Sequence, residues 1–328
     1  MKTRLQSFFL ILMVAFAGCA KTTDEGAKKS SDGGSGSESK GIIGVSLLTL
    51  QNPFFKVIGD NITAEAEKNG YETIVLSAEE SVETQGDQVK DFIVKGCAAI
   101  VMSPCEPDAI GPIIREANKA SIPVFTVDIP CKLEDVEIAC QISTDNYSGG
   151  VEAATAMIEA LGDQGGKVGV LHYNQAQSCQ LRVAGFTKGI NDHNEKAANK
   201  IEIIEPVEGG ANQERSHAAT QDLLQAHPDM VGIFAINDPS ALGAYSALKS
   251  AQKTDQIKIV GFDGQKMGKE AIRDGKVYAD PIQFPDIMGQ RVVQEFIKHS
   301  LGEEIEKEIL IPTKLYRKAD AENDPELQ

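Results

Sequence analysis

From Ile42 onward, short apolar runs alternate with amphipathic stretches. Ile42 to Leu48, Thr73 to Leu76, Ala98 to Met102 and Pro123 to Val127 read as buried strands. Between them Phe55, Ile58, Ile62 and Ala66 recur at i, i+3, i+4 spacing, with Gly70 as the stop. Val89, Phe92 and Ile93, closed by Gly96, mark a second helix; Ile110, Ile113, Ile114 and Ala117 mark a third. Strands separated by helices pair in parallel, and a parallel sheet needs helices on both faces.

The pattern then restarts. Lys167 to Leu171, Ile201 to Ile204, Val231 to Ile236 and Ile257 to Val260 are strands, with helices near 145–161, 180–195, 212–226 and 239–252. After Val277 to Gln283 come a helix, Asp286 to Leu301, and a terminal strand near Glu308 to Leu315. The fold class is α/β, with two doubly wound parallel-sheet lobes. No residue-level repeat links the two sets. The length of 328 residues suits two domains and an appendage.

The appendage is N-terminal. Lys2 and Arg4 precede a continuous apolar run from Phe8 to Ala17, too short to span a bilayer and the size of a signal-peptide core. Phe16-Ala17-Gly18-Cys19 resembles a lipoprotein signal, in which the Cys is lipidated, although Phe16 stands where an aliphatic residue is usual. An ordinary secretory signal is the alternative. Residues 1–18 are therefore read as signal and 19–40, rich in Gly, Ser and charge, as a tether for a body anchored by acyl chains at Cys19. Export permits disulfides, but Cys97, Cys105, Cys131, Cys140 and Cys179 are odd in number and their pairing is open.

With 48 Asp and Glu against 32 Lys and Arg, the net charge of −16 repels phosphate backbones and anionic lipid, which excludes nucleic acid as a partner of the bulk surface. There is no Trp, so any stacking on a ligand falls to Phe or Tyr.

In open α/β sheets ligands bind beyond the carboxyl ends of the strands. Polar and aromatic residues recur there: Gln51-Asn52-Pro53-Phe54-Phe55, Asp128, Asn237-Asp238, Asp263 and Gln283. Carboxylates and amides beside Phe rings suit a neutral polyol, whose hydroxyls they bond and whose C–H faces the rings cover. Each has a structural alternative. Asn52 before Pro53 is a good helix N-cap, Asp128 and Asp263 suit caps or turns, and Phe54 and Phe55 suit a core.

These residues lie within motifs that resemble periplasmic sugar-binding proteins of the ribose-binding type, the solute receptors of ABC importers. The motifs are Gln51 to Phe55, Pro123-Val-Phe-Thr-Val-Asp128, Ala226-His-Pro-Asp229, Asn237-Asp-Pro-Ser-Ala-Leu-Gly243, Val260-Gly-Phe-Asp-Gly264 and Gln283-Phe-Pro-Asp286. The resemblance covers Ile42 to about Arg317 and implies a type 1 periplasmic binding protein whose lobes close by hinge motion. It implies a first lobe of 41–144 plus 284–312 and a second of 145–283 plus 313–328. The crossovers fall near Ser143–Asp145, Gln283–Phe284 and Pro312. Asn52, Phe54, Phe55, Asp128, Asn237, Asp263 and Gln283 are carried over as ligand contacts. The resemblance further implies a monosaccharide ligand, an ABC permease as partner, a monomer, attachment to the membrane by the lipid anchor only, and no cofactor or metal.

Four further candidate contacts depart from the ribose-binding pattern. Ile129 and Gln180 stand where relatives carry Arg, Ala211 where they carry an aromatic, and Ser103 where they carry Asn; Leu48 also replaces a Ser, and Arg182 is near enough to be shifted into the site although the resemblance does not put it there. Two lost guanidinium contacts, each worth ~1.5–3 kcal/mol, make ribose itself a doubtful ligand. An enzyme is disfavoured, since no nucleophile elbow, P-loop or strand-to-helix dinucleotide fingerprint occurs. A repressor would need a helix-turn-helix before residue 42, where the signal and tether stand. A receptor that presents a sugar or autoinducer to a membrane sensor is the remaining alternative.

Overall fold

The computed structural model describes residues 39–328. The signal segment 1–18, Cys19 and all but the end of the 19–40 tether lie outside the described residues. The chain opens with β1 (Ile42–Leu47), α1 (Pro53–Lys68), β2 (Glu72–Ser77), α2 (Val82–Val94), β3 (Ala99–Met102), α3 (Gly111–Lys119), β4 (Val124–Val127) and β5 (Cys140–Thr144). Then follow α4 (Asn146–Leu161), β6 (Gly166–His172), α5 (Gln177–Lys196), β7 (Ile201–Ile203), β8 (Val207–Glu208), α6 (Gln213–Ala226), β9 (Met230–Ala235), α7 (Asp238–Ser250), β10 (Lys258–Val260), α8 (Lys266–Arg273) and β11 (Ala279–Ile282). The chain ends with α9 (Pro285–Ser300), β12 (Glu308–Ile311), β13 (Lys314–Arg317) and α10 (Lys318–Ala321).

Two sheets result. The first is wholly parallel, in the order β12-β5-β4-β3-β1-β2. The second runs β13-β11-β10-β9-β6-β7, with β8 on β6 and β13 antiparallel to β11. Four-residue strands such as Ala99–Met102 and Val124–Val127 are buried at every position, as a sheet covered on both faces requires. The terminal strand read as one element is two. Pro312 and Thr313 break it, so β12 extends the first sheet and β13 closes the second.

The chain therefore passes between lobes three times: after β5, after β11 and between β12 and β13. Helix α9 returns to the first lobe, where Met288, Val292, Val293 and Phe296 join the core of Ile43, Val45 and Phe125. Phe284, at the second crossing, packs against apolar clusters of both lobes. The five described cysteines are free thiols, Cys105 half-buried and the others buried. Burial pushes Cys105 up to about 11 and Cys140 up to about 12, so they stay protonated and inert.

Candidate functional site

The residues expected at strand ends fall into two groups, one on each sheet, and Asp128 of the first lies within electrostatic reach of Arg182 and Asp263 of the second. In the first lobe Asn52 caps α1, its Oδ1 accepting from the Phe54 N–H at 3.0 Å, with Pro53 opening the helix. The N-cap reading of Asn52 is thus correct, and Nδ2 makes no bond in the cap. Phe54 and Phe55 are both buried and meet edge to face, ring centroids 5.4 Å apart. They also join the first-lobe core, so their role in packing is real. Asp128 follows β4 in a left-handed conformation, φ 65°. It borders a cavity of about 220 Å³ beside the crossings, lined also by Ser143, Thr144, Asn146, Tyr147 and Ser178.

The second lobe contributes four groups. Asn237 caps α7, Oδ1 accepting from the Ser240 N–H at 2.9 Å and Nδ2 donating to the Ala211 carbonyl at 3.0 Å. Asp263 Oδ1 accepts from Arg182 Nη1 and from Gln283 Nε2, both at 2.7 Å. Gln283 Oε1 accepts from the Thr144 hydroxyl at 2.5 Å. Arg182 also donates from Nε to Asn146 Oδ1 and from Nη1 to the Ile236 carbonyl, both at 2.8 Å. Its guanidinium carbon lies 3.9 Å from the centroid of the Phe262 ring, a cation–π stack. Neither Arg182 Nη2 nor Asp263 Oδ2 takes part in these bonds, which leaves donor and acceptor capacity on this pair. A vicinal diol matches that pair.

Arg182, two positions beyond Gln180, is the guanidinium that stands in this network. Gln180 is exposed and donates to the Asn174 carbonyl at 2.8 Å, outside the Arg182 network. The two positions lie about 200° apart on one helix. Cys179, Arg182, Phe186 and Ile190 form the buried face of α5, a spacing visible in the sequence. One of the two guanidinium groups counted as lost is therefore present, supplied from 182. Helix α5 is placed by backbone contact with α4. An added Cβ would fall 2.0 Å from the Tyr147 carbonyl oxygen at Gly185, and 2.2 Å from the Arg182 carbonyl oxygen at Gly150.

The other candidates diverge. Ser103 is wholly enclosed, and its hydroxyl donates to the Val127 carbonyl at 2.9 Å, tying the end of β3 to β4. Ile129 is half-buried against the first-lobe core, an apolar group at the lip. Ala211 is half-buried with φ 53°, and its carbonyl holds the Asn237 amide. Asp128, Ala211 and Asp263 (φ 101°) are three of seven described non-glycine residues at positive φ. Strain of this kind collects where side chains must be aimed, and strand-end loops are the place for it.

Electrostatics sharpen the picture. Burial raises the Asp128 carboxyl to about 6; Arg182 opposes that shift and Asp263 adds to it. Burial raises Asp263 too, against the pull of Arg182 and Gln283. Carboxylates of opposite lobes are thus close enough to repel, and hydroxyl donors between them relieve that repulsion. Behind Asp263 a second acidic pair is wholly buried. Asp238 accepts from the Gln265 N–H at 2.7 Å, while its Oδ1 and both oxygens of Asp280 have no partner. Burial lifts Asp238 well above the usual range, with Asp280 and Asp263 adding to it, and lifts Asp280 to about 6. Two buried carboxyls that raise one another in this way resist ionising together.

Residues 43–304 match the family described as periplasmic binding protein domain. The ribose import binding protein of Salmonella typhimurium is 32% identical over 276 residues, covering 84% of this chain and 90% of that protein. Its Bacillus subtilis counterpart is 31% identical over 316 residues, 96% of this chain and 99% of that protein. Among solved structures, an ABC transporter periplasmic solute-binding protein from Actinobacillus succinogenes, with bound D-allose, superposes with a TM-score of 0.80 at 24% identity. The match covers 87% of this chain and all of that one.

Proposed function

The chain belongs to the periplasmic binding protein family, and from that premise we propose that it is the sugar-binding solute receptor of an ABC importer. It is exported, takes a monosaccharide into the inter-lobe cleft and delivers it to the permease. The observation that carries this reading is the pairing of Asp263 with Arg182 and Gln283, opposite Asp128. Neutral polyols are held by such sets, each carboxylate accepting from two hydroxyls while amide and guanidinium groups donate.

In the cycle, the first lobe (41–144 and 284–312) receives the sugar on Asn52, Phe54, Phe55 and Asp128. The second lobe (145–283 and 313–328) closes with Asn237, Asp263, Gln283 and Arg182. Closure is favoured only when ligand hydroxyls stand between the carboxylates, so the closed form reports occupancy to the permease. The protein acts as a monomer, held to the membrane through lipidated Cys19. Ile129 and Ala211 make the lip less polar and roomier than a ribose site, which favours a hexose or deoxyhexose. A thermal-shift screen of pentoses, hexoses, 6-deoxyhexoses and polyols tests the reading. It predicts stabilisation by at least one monosaccharide, with D-ribose not the strongest. No shift with any sugar would refute it, and D-ribose as the strongest would refute the size preference alone.

A further inference from the structure

The hydrogen bonds of the site close on themselves. The Thr144 hydroxyl donates to Gln283, Gln283 to Asp263, and Arg182 to both Asp263 and Asn146; the Asn146 amide then donates to the Thr144 carbonyl at 3.1 Å. Thr144 is the last residue of β5, at the first crossing, and Gln283 stands at the second. The third is tied in as well, because Asp145, between Thr144 and Asn146, donates its N–H to the Ile311 carbonyl at 2.8 Å. Two crossings therefore meet in one five-residue ring that contains the charged pair of the cleft, and the third is bonded to Asp145, between two of its members.

We propose that Thr144 and Asn146 are positioning residues, which hold Arg182 and Asp263 in their ligand-binding geometry and couple that geometry to the hinge. Both are buried, and each donates or accepts at a fixed partner inside the ring. Without the Thr144 hydroxyl, Gln283 loses the partner that fixes its amide toward Asp263. Without the Asn146 oxygen, the guanidinium loses the bond at Nε that sets its plane against Phe262. A twist at the crossings must then move the pair, and a ligand gripping the pair must resist that twist. Buried, charge-assisted rings transmit such displacement because an unpaired member is costly.

The inference rests on the sugar-receptor reading, and the test separates the two. The probe is D-allose, D-fucose or D-ribose, whichever gives the largest thermal shift with the unaltered protein. Thr144→Val replaces the hydroxyl by a methyl of the same size, Thr144→Ser keeps it, and Asn146→Ala removes the second contact from a different element. Titration and stopped-flow release at 25 °C, with near-UV dichroism confirming the native state, give affinity and off-rate. Thr144→Val and Asn146→Ala are expected to bind about tenfold more weakly, through faster release, and Thr144→Ser within about twofold of the unaltered protein. A purely structural role lowers the melting temperature without moving the off-rate of the native protein. Native Thr144→Val or Asn146→Ala protein that releases sugar at the original rate would overturn the inference. No sugar bound by the unaltered protein would overturn the underlying reading and this inference with it.

Discussion

Arg182 donates to Asp263 across 2.7 Å while its guanidinium lies on the Phe262 ring, and both charged side chains are almost fully enclosed. Breaking a buried pair from one side leaves the other charge uncompensated, at a cost of about 3–5 kcal/mol. Asp128 has no such cation of its own and sits at a raised pKa. Asp263→Ala should thus abolish sugar binding and lower the urea midpoint. Asp128→Ala should abolish binding with the midpoint unchanged or raised. Calorimetric titration and equilibrium unfolding of both variants check the contrast.

Binding should depend on pH through Asp128. Burial holds its carboxyl at about 6, and hydroxyls donated by a ligand favour the ionised form. A ligand that binds the ionised form must therefore expel a proton below about pH 6. Affinity should be level above pH 7 and about tenfold weaker at pH 5. Titrations across that range, repeated with Asp128→Asn, test this: the variant should be weak and nearly independent of pH.

The pair Asp238 and Asp280 makes a different prediction, on stability. An unfolded Asp titrates near 3.9, whereas burial holds Asp280 at about 6 in the fold. The folded state binds the proton more tightly, so the contribution is fully present below about pH 4 and lost as pH rises through about 6. Asp280→Asn removes that loss and offers Asp238 an amide donor. The variant should melt several degrees higher than the original at pH 8, with the difference shrinking towards pH 4; scanning calorimetry at both pH values decides it.

Gly185→Ala should be damaging for a reason unrelated to conformational freedom. The new methyl meets the Tyr147 carbonyl oxygen, forcing α4 and α5 apart, and α5 carries Arg182. Overpacking of this sort costs about 1–3 kcal/mol. Both the urea midpoint and sugar affinity should fall, whereas Gly275→Ala, with open space around its Cβ, should leave affinity untouched.

The alternation of apolar runs and helical spacing was enough to read two parallel-sheet lobes, because fully buried strands leave an unbroken hydrophobic record. Strand β5 left none: Cys140–Thr144 carries Gln141 and two hydroxyl residues, and it pairs because both neighbours exist. Helix α8 is eight residues with three Lys or Arg and likewise escaped. In the site, residues at strand ends were legible because topology dictates where ligands sit. Arg182 was legible only as a residue that a shift would bring into the site, because it reaches the cleft from within a helix. Matching positions to a family pointed to Gln180, and only the buried face of α5 distinguishes the two. Thr144 and Asn146 gave no signal, since short polar residues beside a crossing look like any turn.

The most direct test of the central claim is isothermal titration of the protein at pH 7.5 with the monosaccharide giving the largest thermal shift, alongside Asp263→Ala. The account predicts saturable binding at one site per chain, lost in the variant. Folded protein that gives no saturable heat with any sugar, or an Asp263→Ala variant that binds as tightly as the original, would contradict it.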